Sequence, residues 1–537
     1  MKRKTIRIFF LITIVCIAFT SYLKGCNSSV YPKQYGLALN KKDSLDSLYT
    51  LDYRDSIIKI AAGPQYKRGN FHEMIYGVHN RDIWTLPVKM DVFDIGTDKG
   101  GFKVVKRGGN MQTLNLRLEN TEGKRYVLRT VDKDQSKALP YYLQNKVLVF
   151  IIRDQTSALN PYGALVVPKL AEAVGVLHTN PELVFIPYDK RFNEFADEFE
   201  GRVALLEEYP DKSWTNTETF KKAQNIVSTT DVLAGRFASH KVKIDEKAFA
   251  KARLLDLLIN DWDRHVGQWE WAEYQEEGKT IYRPIPRDRD MTFYNFNTGL
   301  LPKMVLAINP KFQTFDYDYK NIKGLVKNAR YIDHTIINSI TQEEFTAIAN
   351  EMKIALTDAV ITDAVKEWPE EVFEKLGGET ISKLKARRNQ LDKIAKEYYE
   401  ILFKETTVVG TDKEEKFIVD RMDDDHTSIT MENKKGEVMY HHIFDHKITK
   451  EVSLYGLNGA DEFIIKGRTK KGILINVYGG EEYDKIIDES FVKGYLKKTR
   501  VYDMKLNNEI QAGEETEDIT SYDPDVLYFD RVGIRKK

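Results

Sequence analysis

A chain of 537 residues with 42% apolar content is long enough for roughly two to four domains and carries enough nonpolar surface to build cores. Lysine plus arginine and aspartate plus glutamate each total 81, a balance that excludes a global field for nucleic acid or for an anionic membrane, so any recognition by charge is local. The apolar content also excludes a wholly disordered chain.

Residues 1–26 read as an export signal: the basic stretch MKRKTIR, then an apolar run from Ile8 to Leu23, then Gly25 and Cys26. The run is sixteen residues long, short of the ~20 that a spanning helix needs. The order Leu23-Lys24-Gly25-Cys26 resembles a bacterial lipobox, although Lys24 stands where a small or apolar residue is usual. The resemblance implies that Cys26 is lipidated and holds an exported protein to a membrane, in the periplasm or cell envelope. An uncleaved anchor and an ordinary cleaved signal are the alternatives. Cys16 and Cys26 are the two cysteines of the chain, so the remainder has no internal disulfide and no cysteine-ligated metal.

Residues 27–90 read as a polar tether and N-terminal extension. From Phe93 to Val131 short alternating segments are broken by glycines, and LNLRLEN followed by a Glu-Gly turn predicts an antiparallel hairpin or meander. A helix is expected at GALVVPKLAEAVGV, then strands at ELVFIP and RVALLEEYP. From Ile244 to Asn260 and from Thr341 to Lys404 the periodicity is helical, with Thr341 and Glu344 in a capping-box pattern. Beyond Gly410 the patterning turns to strands. The expected fold class is therefore α+β: a β-rich lobe over 91–210, a helical lobe over 211–405 and a small all-β module over 406–537.

The stretch NDWDRHVGQWEW, Asn260 to Trp271, crowds charge and indole together at the end of FAKARLLDLLIN, whose Leu254, Leu257 and Leu258 share one helical face. Asp263 and Gln268 are five apart, and YRPIPRDRDMTF follows as a hairpin return carrying Asp288 and Asp290. Phosphoryl transfer needs such a set: a carboxylate to orient or deprotonate the acceptor, an amide oxygen for a metal, and a second carboxylate bridging metal and phosphates. A metal held by oxygens is most simply Mg²⁺. The structural alternative is a helix C-terminus with solvated charges and Trp262 and Trp269 packed below. A metallophosphoesterase would need partner histidines, and the ten histidines show no matching set.

DRHVGQW resembles the catalytic loop of kinase-like phosphotransferases of the HipA and type II phosphatidylinositol 4-kinase kind. The resemblance implies a two-lobed kinase-like domain over residues 90 to 400, with Asp263 as catalytic carboxylate, Gln268 in the place of a metal-binding Asn, and Asp288 as the metal Asp, Asp290 being the runner-up. It further implies a nucleotide-binding set: Gly108 and Gly109 of KRGGNMQT as the phosphate-covering turn, Arg129 or Lys133 of YVLRTVDK beside the phosphates, and Glu207 in ALLEEY at the purine-holding hinge. Three positions depart from the pattern: Gln for Asn, Arg for Lys, and Ala164 where a glutamate would pair the lysine. An exported protein meets essentially no ATP, which keeps open a non-catalytic binding or scaffold role in an outer-membrane assembly. HNRDIWTLPVKMDVFD, INDWDRHVGQWEW and PIPRDRD together also resemble a region of large Bacteroidota-type envelope proteins that lies between a calcineurin-like phosphoesterase domain and a BamA/TamA-type barrel. That implies outer-membrane protein partners and supplies no activity.

In the last module, YGLNGADEFII and YGGEEYDKIID recur twenty-three residues apart and align Tyr455 with Tyr478 and Asp461 with Asp484. Both resemble the turns of calcium-binding β-roll repeats, although Glu482 stands where a glycine is expected; the resemblance implies calcium at Asp461 and Asp484, and a purely structural turn is the alternative. His441, His442 and His446 beside Asp445 leave zinc or an exposed strand as readings.

Overall fold

The computed structural model describes residues 53–533 apart from 54, 109–112, 139–140, 144 and 297, so Cys26, Gly109 and the tether lie outside the described residues. The β-rich lobe is one seven-stranded sheet in the order β1-β2-β6-β7-β5-β4-β3. Its strands are β1 (Ile57–Ala61), β2 (Pro87–Val92), β3 (Phe102–Gly108), β4 (Asn115–Asn120), β5 (Arg125–Thr130), β6 (Glu182–Ile186) and β7 (Arg202–Glu208). The sheet recruits β1 and β2 from the stretch whose composition suggested an extension.

Alternation along the strands divides the sheet between two cores. Leu116, Leu118, Tyr126, Leu128, Ala204 and Leu206 pack outward against Phe93, Phe199 and Trp214. Val203 and Leu205 face the helical lobe and join its core. The segment before β2 is tied down by a buried fork in which Arg81 donates to both oxygens of Asp154 at 3.1 and 2.5 Å.

The helical lobe is organised around the helix Glu246–Leu258, capped by Asp245, whose carboxylate accepts the Ala248 amide at 2.9 Å. From Ala252 onward this helix is buried on every side, so polar Arg253 and Asp256 are buried with Leu254, Leu255, Leu257 and Leu258. Arg253 is matched by Asp256 at 2.5 Å and Asp333 at 2.7 Å, and the Tyr398 hydroxyl donates to Asp333 at 2.5 Å. A four-stranded sheet in the order β8-β10-β11-β9 follows, from β8 (Asn225–Ser228), β9 (Val242–Ile244), β10 (Trp269–Glu276) and β11 (Lys279–Pro286). The β10–β11 hairpin seats Trp269 and Trp271 on Phe249. The helix Gln342–Ala355 starts at the Thr341/Glu344 capping box expected from sequence. Among the described residues no helix is long and apolar enough to cross a membrane.

The last module is a stack of parallel coils. Its strands are β12 (Glu405–Val409), β13 (Glu415–Asp420), β14 (His426–Asn433), β15 (Val438–Asp445), β16 (Glu451–Leu457), β17 (Glu462–Lys466), β18 (Arg468–Thr469), β19 (Leu474–Gly480), β20 (Asp484–Asp488), β21 (Phe491–Val492), β22 (Thr499–Tyr502), β23 (Asn508–Gln511) and β24 (Thr516–Asp518). One sheet runs β12-β16-β19-β22-β24, the other carries β13-β17-β20-β23 beyond an antiparallel β13-β14-β15 meander, and β18 pairs with β21. Tyr455 (β16, Glu451–Leu457) pairs in register with Tyr478 (β19, Leu474–Gly480), which pairs with Tyr502 (β22, Thr499–Tyr502). Their rings stack at 4.2 and 4.6 Å, so the repeat seen in the sequence is the rise from one coil to the next. At the turns an acid ladder runs alongside: Asp461 Oδ1 accepts the Glu415 amide at 2.7 Å and Asp484 Oδ1 accepts the Asp461 amide at 2.9 Å. The second oxygens of Asp461, Asp484 and Asp503 are buried without a hydrogen-bond partner. Burial pushes Asp461 up to about 10, Asp484 up to about 7 and Asp503 up to about 6.

A carboxyl whose folded pKa is raised binds its proton in the native state first, so stability falls as pH rises from the unfolded value through the folded one. For Asp484 that window runs from 3.8 to about 7. Urea denaturation across this range is expected to show the wild type losing up to about 4 kcal/mol relative to Asp484→Asn, which keeps the amide acceptor and carries no charge.

Candidate functional site

The helix Glu246–Leu258 ends at Ile259, and Asn260 takes a left-handed φ of 63° that turns the chain out of the helical path. Asn260 Nδ2 bonds the Gln313 carbonyl at 2.8 Å, which fixes the turn. From there the loop 261–268 crosses the floor of the space between the lobes, with Trp262 and Trp269 buried under it. Arg264 is fully buried and staples this loop to the segment after β11: it donates to the Arg287 carbonyl at 2.6 Å and to the Gln268 carbonyl at 2.9 Å. Its charge is matched by Asp256 at 3.4 Å and Asp261 at 3.5 Å. Arg289 binds the same two acids, Asp261 at 3.2 Å and Asp256 more closely. Burial favours neutral acids, yet Arg289, Arg264 and Arg253 together hold Asp256 below the usual carboxylate range.

This scaffold delivers Asp288 with a left-handed φ of 57°. A non-glycine residue held there is strained and persists only where its surroundings over-determine it. Arg129, on β5, reaches Asp288 Oδ1 at 2.7 Å and Glu207, on neighbouring β7, at 3.1 Å. Lys133 Nζ lies 3.7 Å from Asp288 and makes a closer ion pair with Asp290. Gln268 Nε2 is 3.4 Å from Asp288 Oδ2. Burial would raise Asp288, but Arg129, Lys133 and Arg287 outweigh it and leave the carboxyl far below its ordinary value. Burial pulls the Lys133 ammonium down, against the opposing charges of Asp288, Asp263 and Asp261. Asp263 therefore stands in the same field, and its Oδ1 accepts a 2.7 Å bond from Asn328 Nδ2.

The structure thus gathers Asp288, Asp290, Gln268, Arg129, Lys133 and Glu207 into one cleft with Asp263 at its side. Gly108 ends β3 beside Asn115, where an added Cβ would strike the Asn115 side chain and come within 3.3 Å of Arg117 Nε. Glu207 enters the cleft as a side chain paired to Arg129, beyond the backbone role the hinge resemblance implied. Asp461 and Asp484 lie far along the chain in the coil ladder, each with one oxygen on a backbone amide. His442 Nδ1 bonds the Ser339 carbonyl at 3.1 Å.

Sequence reasoning missed several residues that hold the site. Asn328 comes from a helical segment with no motif. Arg153, in the helix Lys146–Asp154, pairs with Asp132 and donates to the Lys133 carbonyl, so it fixes the lysine from the neighbouring backbone. The Tyr66 hydroxyl donates to Asp132 at 2.6 Å and completes that anchor. Asp256, Asp261, Arg264 and Arg289 were visible as charges inside apolar surroundings, the one signal available.

Among the described residues no group of three or more His, Cys, Asp and Glu side chains is arranged to hold a metal. Two carboxylates and an amide remain: Asp288 Oδ1 and Asp290 Oδ2 face the cations Arg129 and Lys133, and the Gln268 amide adjoins Asp288. Hard oxygen donors of this kind fit Mg²⁺ with phosphates and water completing its shell.

No family model and no curated protein matches the chain. Among solved structures, the Helicobacter pylori proinflammatory kinase CtkA is similar at 13% identity and a TM-score of 0.29, over 54% of this chain and 94% of that one. HipA of Shewanella oneidensis MR-1, solved with HipB and operator DNA, is similar at 12% identity and a TM-score of 0.25, over 55% and 67%. The amicoumacin kinase hAmiN, in complex with AMP-PNP, Ca²⁺ and Ami, follows at 10% identity and a TM-score of 0.15, over 54% and 88%. Likenesses this loose leave the functional assignment to the geometry of the cleft.

Replacing Arg264 with Met removes the charge and both carbonyl bonds while Asp256 and Asp261 stay buried. Chemical denaturation is expected to show a loss of about 3–5 kcal/mol, the cost of breaking a buried ion cluster from one side.

Proposed function

We propose that the cleft binds a phosphate-chain donor with Mg²⁺ and transfers a phosphoryl group to an acceptor hydroxyl beside Asp263. The observation that carries this reading is the convergence on Asp288 of Arg129, Lys133 and Gln268, in a strained backbone conformation, with Asp263 held across the cleft by Asn328. Asp288, Asp290 and the Gln268 amide would hold the metal. Bound there, Mg²⁺ would supply charge neutralisation and orientation to the phosphate chain.

The chain's own residues do the rest. Arg129 divides its fork between Glu207 and Asp288, and a phosphate oxygen arriving at the cleft offers it a third anionic partner of matching geometry. Lys133, buried and flanked by acids, supplies a second positive charge that Arg153 keeps in place through the Lys133 carbonyl. Asp263, oriented by Asn328, accepts the proton of the acceptor hydroxyl as its oxygen bonds to phosphorus and the bond to the leaving phosphate breaks.

A second reading is a binding or scaffold domain without turnover. The ion pairs Arg129–Asp288 and Lys133–Asp290 favour it, because they already neutralise the acids that a metal would need. In either reading we take the chain to be exported and tied to a membrane through Cys26, with outer-membrane proteins as partners.

A thermal melt with ATP or a shorter phosphate chain in excess Mg²⁺ separates the two. Ligand at 100 times its dissociation constant is expected to stabilise the protein by about 2.7 kcal/mol. Asp288→Asn should abolish that shift, whereas Asp263→Asn should keep the shift and lose phosphoryl transfer to any acceptor the wild type modifies. An absence of any shift with every phosphate ligand would sink the transferase reading.

A further inference from the structure

Residues directly opposite one another in an antiparallel sheet share a face. The register pairs Lys106 with Arg117, Arg117 with Val127, Val127 with Glu207, and Asn115 with Arg129. Lys106, Arg117, Arg129 and Glu207 therefore stand on one face, and it is the cleft face, because Arg129 reaches Asp288 from it. Beyond the Asp288 end this face carries Arg117 and Lys106, and its acid, Glu119, is taken up by Lys103 at 2.7 Å and Arg125 at 3.4 Å. Arg117 lies 3.3 Å over the ring of Tyr209, and Arg287 approaches the same ring at 5.3 Å. Arg287 is paired with Glu270, but Arg117 Nε and Nη1 are buried with no hydrogen-bond partner, as are Arg129 Nε and Asn115 Oδ1.

Burial pulls the Arg117 guanidinium down to about 10; Tyr209 opposes this, and the like charges of Arg287 and Arg129 add to it. Buried donors left unpaired are costly, and a guanidinium fork left open is shaped for a phosphate. An uncharged aromatic base placed here would displace Arg117 from Tyr209 and leave three guanidinium groups facing it. An anion would pair the orphan nitrogens. Arg117 and Arg129 are diagonal neighbours on adjacent strands, with Cα atoms about 7 Å apart, a span suited to successive groups of one chain rather than to a single phosphate.

We propose that the cleft takes a linear inorganic polyphosphate, with its near phosphates at Arg129, Lys133 and Asp288 and its far phosphates on Arg117 and Arg287 against Tyr209. This rests on the phosphate-chain reading given above and names the ligand class for the same cleft.

Calorimetric titration of the full chain in excess Mg²⁺ tests it with three probes: tripolyphosphate, pyrophosphate and ATP. Tripolyphosphate is expected to bind wild type about tenfold more tightly than either of the others, a difference of about 1.4 kcal/mol. Arg117→Gln should erase that preference while pyrophosphate affinity stays within about twofold, since the near phosphates keep their partners. Should Arg117→Gln fail to fold by its melting curve, Arg117→Lys keeps the charge, loses the fork, and is expected to lose about threefold for tripolyphosphate alone. ATP binding as tightly as tripolyphosphate, or an Arg117 variant that folds and binds tripolyphosphate as wild type does, overturns the proposal. ATP binding that depends on Asp288 without any tripolyphosphate binding overturns the polyphosphate assignment and leaves the transferase reading standing. If none of the three probes binds, both fall.

Discussion

The arrangement of the cleft depends on one buried charge cluster, in which Arg264 and Arg289 share Asp256 and Asp261 beneath the loop 261–268. Such a cluster adds little net stability compared with a well-packed apolar core, because desolvation consumes most of the Coulomb energy. What it adds is geometry. Two arginines and two acids from three separate segments satisfy one another in a single arrangement, and that arrangement fixes Asp263 and Gln268 relative to Asp288. The Arg264 bonds to the Arg287 and Gln268 carbonyls convert it into a backbone constraint.

Above this floor, charge is nearly balanced and tightly confined. Asp288 and Asp290 face Lys133 and Arg129, and Glu207 takes the remainder of the Arg129 fork. The pairs make the cleft stable in the absence of ligand and set a threshold for binding: an incoming anion must offer the cations at least what the carboxylates already provide. The imbalance appears one strand further out, at Arg117, where the sheet presents guanidinium nitrogens without partners. A phosphate-bearing ligand gains most where the protein has left its own donors unpaired.

The lobes are joined by unlike devices. The β-rich sheet meets the helices through Val203 and Leu205, and Arg153 reaches the Lys133 carbonyl from the helix Lys146–Asp154. The coil module carries no part of the cleft; its Tyr455–Tyr478–Tyr502 stack and acid ladder are repeats of one local solution.

Much of this was legible because periodicity is local. The alternation in LNLRLEN, the capping box at Thr341 and the recurrence of Tyr455 at Tyr478 each depend on neighbours within a few dozen residues, and each element formed where its pattern lay. The crowding of acids and indoles at Asn260 to Trp271 likewise marked the loop, since charge next to buried rings is a local contradiction that only a special environment resolves. Tertiary structure alone decided the partners. That Asn328 would hold Asp263, that Arg153 would anchor Lys133, and that β1 and β2 would extend the sheet could not be read from spacing. Ion pairs and sheet edges are chosen by which surfaces remain once the apolar faces have packed, and that choice is made in three dimensions by residues far apart along the chain.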